Sequence, residues 1–214
     1  MKRVLSIIGL AGLLAACNND TATEGTNTDH STHTTDTTST TTAAPASPTM
    51  MSLMHGNMAQ MKAVAATGNA DRDYAALMKV HHQGAVDMAQ MLLAQGADPQ
   101  LKEMAQKMIT EQQGEIARFD SALASLPAQG TDTAFYSQSI KAMDAMHMDM
   151  NHTGSIEKDF VQMMIPHHQG AIDMSRTYLK SGASHAGLKA LANAIISDQQ
   201  KEIADMQAWL DRNK

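Results

Sequence analysis

The chain has 214 residues, enough for one or two domains, and a formal net charge of −6 at pH 7. This acidic balance leaves no basic patch to neutralise phosphates, which argues against a nucleic-acid partner. A single Cys excludes a disulfide within the chain. The 19 Met residues exceed ordinary usage, either as fillers of core gaps or as thioether donors for a soft metal.

The pattern of residues 1–17 is typical of a secretory leader. Lys2 and Arg3 precede an apolar run over 4–16, which is shorter than the roughly 20 residues of a membrane-spanning helix. The run ends in Leu14-Ala15-Ala16-Cys17, which resembles the bacterial lipobox. That resemblance implies cleavage before Cys17 and a lipid on its sulfur; an ordinary signal peptide with an incidental Cys is the alternative. We expect an exported protein held by its lipid to a bacterial membrane, on the periplasmic or cell-surface side.

Residues 18–49 are rich in Thr and have no apolar face, so they predict a disordered tether. From residue 50 onward the composition favours helix. We divide this part into a first repeat, 50–130, and a second repeat, 131–214, which together form one bundle domain.

Six helices are predicted in chain order. A stripe of Met at spacings of three, four and three marks the first helix, ending near 67–69. Asp71 is a candidate cap for the second, which runs to about Gln95, and Asp98-Pro99 opens the third, reaching about 126. Thr131 or Asp132 starts the fourth. Ser155 starts the fifth, which runs to about 181 and contains Pro166, so a kink is expected there. The last helix spans about 184–212.

A nine-residue phrase occurs twice, at 81–89 and 167–175, and each copy begins with paired histidines. A second echo, between 111–116 and 198–203, follows at nearly the same separation. The folded part is therefore a tandem duplication. We predict an all-α, ferritin-like four-helix bundle made of two hairpin repeats, each preceded by a shorter Met-rich helix and related by a pseudo-twofold axis.

On a helical wheel His81 and His167 lie within the apolar stripe of their helices, with His82 and His168 beside them. The stripe of the following helix in each repeat contains a carboxylate, Glu115 in the first and Glu202 in the second. A buried carboxylate needs a partner. Two alternatives remain open: a hydrogen-bonded His–Glu network, or a metal site at a shared centre.

Methionine and histidine form a second constellation on the helices that lead each repeat. Thioether and imidazole together are the donors that Cu(I) or Ag(I) prefers, although a Met stripe at helical spacing also suits an apolar core. Gly84 and Gly170, in mid-helix, indicate close helix approach or room for a ligand. The members are Met54, His55, Met58 and Met61 in the first repeat and Met143, Met146, His147, Met148, Met150 and His152 in the second.

The second phrase, Met164-Ile165-Pro166-His167-His168-Gln169-Gly170-Ala171-Ile172-Asp173-Met174, resembles the bacterial family of domains of unknown function DUF305. The resemblance covers about 50–212. It implies a ferritin-like helical fold and kinship with periplasmic Met/His-rich copper-binding proteins linked to copper tolerance. It also implies metal handling at the paired histidines and among the Met/His segments. The first copy departs from the pattern, with Lys79-Val80 in place of Ile165-Pro166.

The favoured hypothesis is a copper-binding protein, with Cu(I) preferred, that buffers copper or delivers it to an unidentified acceptor protein. Glu115 and Glu202 would orient the rings, and Glu111 and Asp198 are weaker candidates at the edge of the same face. A ferritin-like di-metal oxidase is the enzyme alternative, against which the lack of Glu-x-x-His counts. A module with a purely structural His/Glu network is the third. The central copper ligands would be His81, His82, Met88, His167, His168 and Met174.

Overall fold

The computed structural model describes residues 48–127, 129–145 and 152–214, with the side chain of residue 145 excepted. The predicted leader and tether, with the lipidation site Cys17, lie outside the described residues. The same holds for four members of the second Met/His segment: Met146, His147, Met148 and Met150.

All regular secondary structure in the described part of the chain is α-helix, as predicted, and the helices fall in one compact unit. Their observed ends lie within a few residues of the predicted ones, apart from the first helix, which stops earlier. The helices are α1 (Met50–Ala63), α2 (Ala70–Gln95), α3 (Pro99–Ser125), α4 (Ala134–Ala145), α5 (Ile156–Lys180) and α6 (Ala186–Arg212).

Two of the predicted N-caps are confirmed. The side chain of Asp98, which precedes Pro99, accepts a hydrogen bond from the Leu101 amide. The Ser155 side chain likewise accepts a hydrogen bond from the amide three residues later. The predicted cap of α2 is wrong: Asn69 caps that helix. Asp71 lies instead in the first turn.

Asp71 has partners far along the chain, which explains why it is not the cap. Its carboxylate accepts from the Tyr178 hydroxyl at 2.6 Å and from the backbone amides of Ser184 and His185, both at 3.2 Å. The residue is buried, and burial raises the pKa of Asp71, but these bonds outweigh that effect and leave the pKa below its ordinary value. Asp71 therefore ties the start of α2 to the α5–α6 connection.

Two hairpins, α2–α3 and α5–α6, form the bundle, and α2 packs against α5 along its centre. Residues 85–92 of α2 share one apolar cluster with 160–164 of α5. Residues 74–78 share the other with 171–178. The two central helices therefore run antiparallel, which is consistent with a pseudo-twofold axis perpendicular to them. The paired histidines lie between the two clusters.

The short leading helices α1 and α4 contact each other and both central helices. α1 begins with a capping box at Thr49 and Ser52. None of the described helices combines the length and the apolar character needed to cross a bilayer.

Candidate metal centre

Four imidazoles form a polar layer in the middle of the bundle. His82 and His168 are fully buried, and His81 and His167 are 3% and 7% exposed. Within each phrase the two rings lie about one helical step apart, with centroids separated by 6.3 Å in the first copy and 6.4 Å in the second. Both pairs face inward, as the wheel predicts.

His81 and His167 meet across the α2–α5 contact. Their ring centroids are 3.8 Å apart and their planes are inclined by 36°. Nδ1 of His81 and both ring nitrogens of His167 are buried and lack a hydrogen-bond partner. Burial lowers the pKa of each ring well below 6.5, and the neighbouring imidazoles lower it further. The two rings are therefore neutral at pH 7 and present unused nitrogen lone pairs.

His82 and His168 are held differently. Nε2 of His82 lies 2.7 Å from the Glu115 carboxylate, and Nε2 of His168 lies 2.8 Å from the Glu202 carboxylate. These bonds answer the question that the sequence leaves open about the buried carboxylates. The second histidine of each phrase belongs to a His–Glu network, whereas the first histidine does not.

The two networks are not equivalent. Glu202 is 7% exposed and also lies 3.4 Å from the ammonium of Lys107, whereas Glu115 is half-buried. Burial raises the pKa of Glu202, but the His168 bond and the charges of His168 and Lys107 outweigh it, so its pKa is lowered overall. Glu202 therefore stays ionised and anchors α6 to α5.

The methionines of the leading helices line a small cavity together with the His81–His167 pair. The cavity has a volume of about 50 Å³. The paired histidines and the methionines of the leading helices, which form two separate groups in the sequence, therefore meet at this cavity. The lining residues are Met54, Asn57, Met58, Met61, His81, Met143, Pro166 and His167.

Contact between Asn57 and Gly84 brings α1 close to the histidines. A Cβ built on Gly84 would lie only 2.3 Å from Cγ of Asn57, so this approach requires glycine. The Asn57 amide nitrogen donates to the Val80 carbonyl at 2.6 Å. The predicted role of Gly84 in close helix approach is confirmed.

Other predicted ligands lie elsewhere. Met88 and Met174 are buried in the two apolar clusters on opposite sides of the histidine layer, and neither lines the cavity. Seven residues along a helix span about 10.5 Å, which carries both sulfurs away from the rings. His55 is exposed on α1.

Glu111 and Asp198 are exposed and line a separate cleft of about 320 Å³ between α3 and α6, which Glu115 and Glu202 also reach. Within the described residues, no group of three His, Cys, Asp or Glu side chains lies close enough together to bind one metal ion.

The donor chemistry of the cavity fits a soft monovalent ion. Its lining combines four thioethers with two neutral imidazoles and contains no carboxylate. Cu(I) and Ag(I) prefer such donors, whereas Mg²⁺, Ca²⁺ and Mn²⁺ require oxygen ligands. A site for one water needs about 10–15 Å³, so a cavity of about 50 Å³ has room for at least one ion.

Comparison with solved structures finds a helical-bundle protein of matching architecture. CopM in its Ag-bound form, obtained by co-crystallization, has a TM-score of 0.52 and 28% identity, covering 66% of this chain and 96% of that one. CopM in its Cu(I)-bound form has a TM-score of 0.51 and 27% identity, with the same shares covered. CopM in its apo form also has a TM-score of 0.51.

A curated relative, Uncharacterized protein L153 of Acanthamoeba polyphaga mimivirus, is 40% identical over 58 residues. The match covers 27% of this chain and only 38% of that protein. The family model described as domain of unknown function (DUF305) matches residues 7–123 and 126–210. The chain therefore belongs to the DUF305 family.

Proposed function

We propose that this chain is a copper-binding protein that takes up Cu(I) at the His81–His167 cavity and buffers or delivers it outside the cytoplasm. The observation that carries the proposal is the convergence of methionine side chains on two neutral imidazoles, three of whose ring nitrogens are buried without a hydrogen-bond partner. The silver-bound and Cu(I)-bound forms of CopM support the choice of metal.

The burial of the His81 and His167 rings explains why they suit a metal ion better than a proton. Desolvation and the neighbouring imidazoles disfavour a charge on either ring at neutral pH. A metal ion binds the neutral form of imidazole, so protons do not compete with it for these two rings near pH 7. The unpartnered nitrogens carry a desolvation penalty in the apo protein, and coordination would relieve it.

The His–Glu pairs act beside this cavity and not in it. Glu115 and Glu202 fix the rings of His82 and His168, and each of these histidines is adjacent in sequence to one of the cavity histidines. We assign the two carboxylates a positioning role: they hold the second histidine of each phrase and thereby the rotation of α2 and α5.

Export and anchoring complete the proposal. The leader over 1–17 and its lipobox-like end support secretion and a lipid on Cys17. The Thr-rich segment 18–49 would then hold the bundle away from the membrane. A copper-accepting protein is the expected partner in delivery.

The alternatives have less support. A carboxylate di-metal oxidase requires a cluster of Glu and His ligands, and the described residues hold no such group of three. A purely structural network accounts for Nε2 of His82 and of His168, but it leaves Nδ1 of all four histidines and Nε2 of His167 without a hydrogen-bond partner.

The direct test is a competitive titration of the full chain with Cu(I) and Ag(I), against a chromophoric Cu(I) chelator, for wild type and for His81→Leu/His167→Leu. We expect sub-micromolar binding by the wild type and at least one equivalent fewer in the double variant. Equal stoichiometry and affinity in the two proteins would overturn the assignment of the cavity.

A further inference from the structure

A second cavity lies where the first turn of α1 meets the start of α5. Its volume is about 220 Å³, and none of its lining residues belongs to the central cavity. Three methionines and one histidine contribute to its wall. The lining residues are Thr49, Met50, Met51, His152, Asp159, Gln162 and Met163.

The His152 ring in this cavity is oriented by a carboxylate. Its Nδ1 is hydrogen-bonded to Asp159, whose other oxygen accepts from the Thr153 amide at 2.8 Å and from the Thr153 hydroxyl at 2.7 Å. A histidine whose Nδ1 is fixed by a carboxylate offers Nε2 as a ligand, and this arrangement is typical of metal-binding imidazoles. The side chain is 77% exposed, so an ion can reach it from solvent.

Comparison of the two repeats shows that His152 is not needed to build the turn. In the first repeat Asp73 accepts from the Thr67 amide at 2.8 Å and from the Thr67 hydroxyl at 2.7 Å, which reproduces the Asp159–Thr153 pattern. Ala66 precedes that threonine where His152 stands in the second repeat. The fold therefore forms the same turn without an imidazole.

The methionines show the same asymmetry. Leu77 occupies the position in the first repeat that corresponds to Met163 in the second. Met163 is 2% exposed, and Met51 is half-buried at the edge of the cavity. Leu and Met are interchangeable as core residues, so packing allows either residue here and does not by itself specify a sulfur. Of these two corresponding positions, the second repeat therefore carries imidazole and thioether, whereas the first repeat carries Ala66 and Leu77.

We propose that this cavity is a second binding site for a soft monovalent metal ion, with His152 Nε2 and the sulfurs of Met51 and Met163 as its ligands. The site is reached from solvent, whereas the central histidines are buried, so it suits an ion that is exchanged with a partner. The inference rests on the proposed copper function, since the same donor chemistry selects the same ions.

Silver is the probe, because Ag(I) does not change oxidation state in air. Bound silver is counted by native mass spectrometry on the full chain for wild type, His152→Ala, Met51→Leu and His81→Leu/His167→Leu. His152→Ala introduces the residue that the first repeat carries, so the fold is expected to survive, and thermal unfolding of the apo proteins checks this. Methionine methyl groups labelled with ¹³C report which sulfurs respond to silver.

We expect His152→Ala to bind one silver ion fewer than wild type, and Met51→Leu to weaken the same ion at least tenfold. In wild type the methyl signals of Met51 and Met163 shift on silver addition, and in His152→Ala they do not. The central double variant retains this His152-dependent ion.

Two results separate the sites. If His152→Ala binds as many ions as wild type and the methyl shifts persist, the second site is refuted while the central one stands. If the central double variant loses nothing but His152→Ala loses one ion, the second site is supported and the proposed central site is refuted. A wild type that retains no silver overturns both.

Discussion

Replacing the two central histidines by leucine should make the apo protein more stable and remove its response to silver. His81 and His167 bury three ring nitrogens that have no partner. A buried polar group without a partner costs about 1–3 kcal/mol, and leucine fits a similar volume without that cost. For His81→Leu/His167→Leu we expect a gain of about 2–4 kcal/mol in the free energy of unfolding, since neighbouring effects are not strictly additive.

The adjacent histidines provide the matched control. His168→Leu leaves the buried Glu202 carboxylate without its imidazole partner, and breaking a buried pair costs about 3–5 kcal/mol. Glu115 is more exposed, so His82→Leu should cost less. Substitutions one residue apart are thus expected to change stability in opposite directions.

The assay is chemical denaturation of each full-length variant with a metal chelator present, followed by thermal unfolding with and without one equivalent of Ag(I). The apo gain should raise Tm by roughly 4–16 °C, and the silver-dependent rise in Tm should be smaller than in wild type. A double variant that is destabilised by more than about 1 kcal/mol, or that keeps the full silver response, would refute the reasoning.

Three further predictions concern the same centre. Gly84→Ala places a Cβ against Asn57, so α1 must shift; we expect a loss of about 1–3 kcal/mol and weaker silver binding, measured by denaturation and titration. Met58→Leu keeps the packing and removes one sulfur from the cavity, so affinity for Ag(I) should fall at least tenfold while apo stability changes by less than about 1.5 kcal/mol. The depressed pKa values of His81 and His167 mean that the unfolded chain binds more protons below pH 6.5. Between pH 6.5 and 5.5 the apo protein should therefore lose about 2 kcal/mol, with no contribution from these rings above that window, as pH-dependent denaturation can show. If the wild type and the double leucine variant lose the same amount of stability between pH 6.5 and 5.5, the last prediction is contradicted.

Much of the fold follows from the repeated phrase and from local signals. Apolar periodicity and the caps Asp98 and Ser155 are properties of neighbouring residues, so the sequence predicts helices near their observed ends. Asp71 shows where this fails: its partners on α5 and beyond lie more than 100 residues away. A local pattern cannot distinguish a capping aspartate from one that Tyr178 engages.

The sequence predicts the individual residues of the site but not how those residues come together in the fold. The wheel places both histidines of each phrase inside, but which one meets a glutamate depends on how α3 is rotated against α2. Met88 and His81 share a stripe, and only the rise of the helix separates them. The methionines of the leading helix reach His81 because Asn57 packs against Gly84. Hydrophobic periodicity along the sequence does not predict such a contact between two helices.

A crystal structure of the silver-loaded full chain, with an anomalous difference map, tests the central claim most directly. We expect an anomalous peak in the cavity between His81 and His167, within bonding distance of a ring nitrogen and of at least one methionine sulfur. Silver found only elsewhere in the protein, with the two ring centroids still about 3.8 Å apart and no peak beside them, would contradict it.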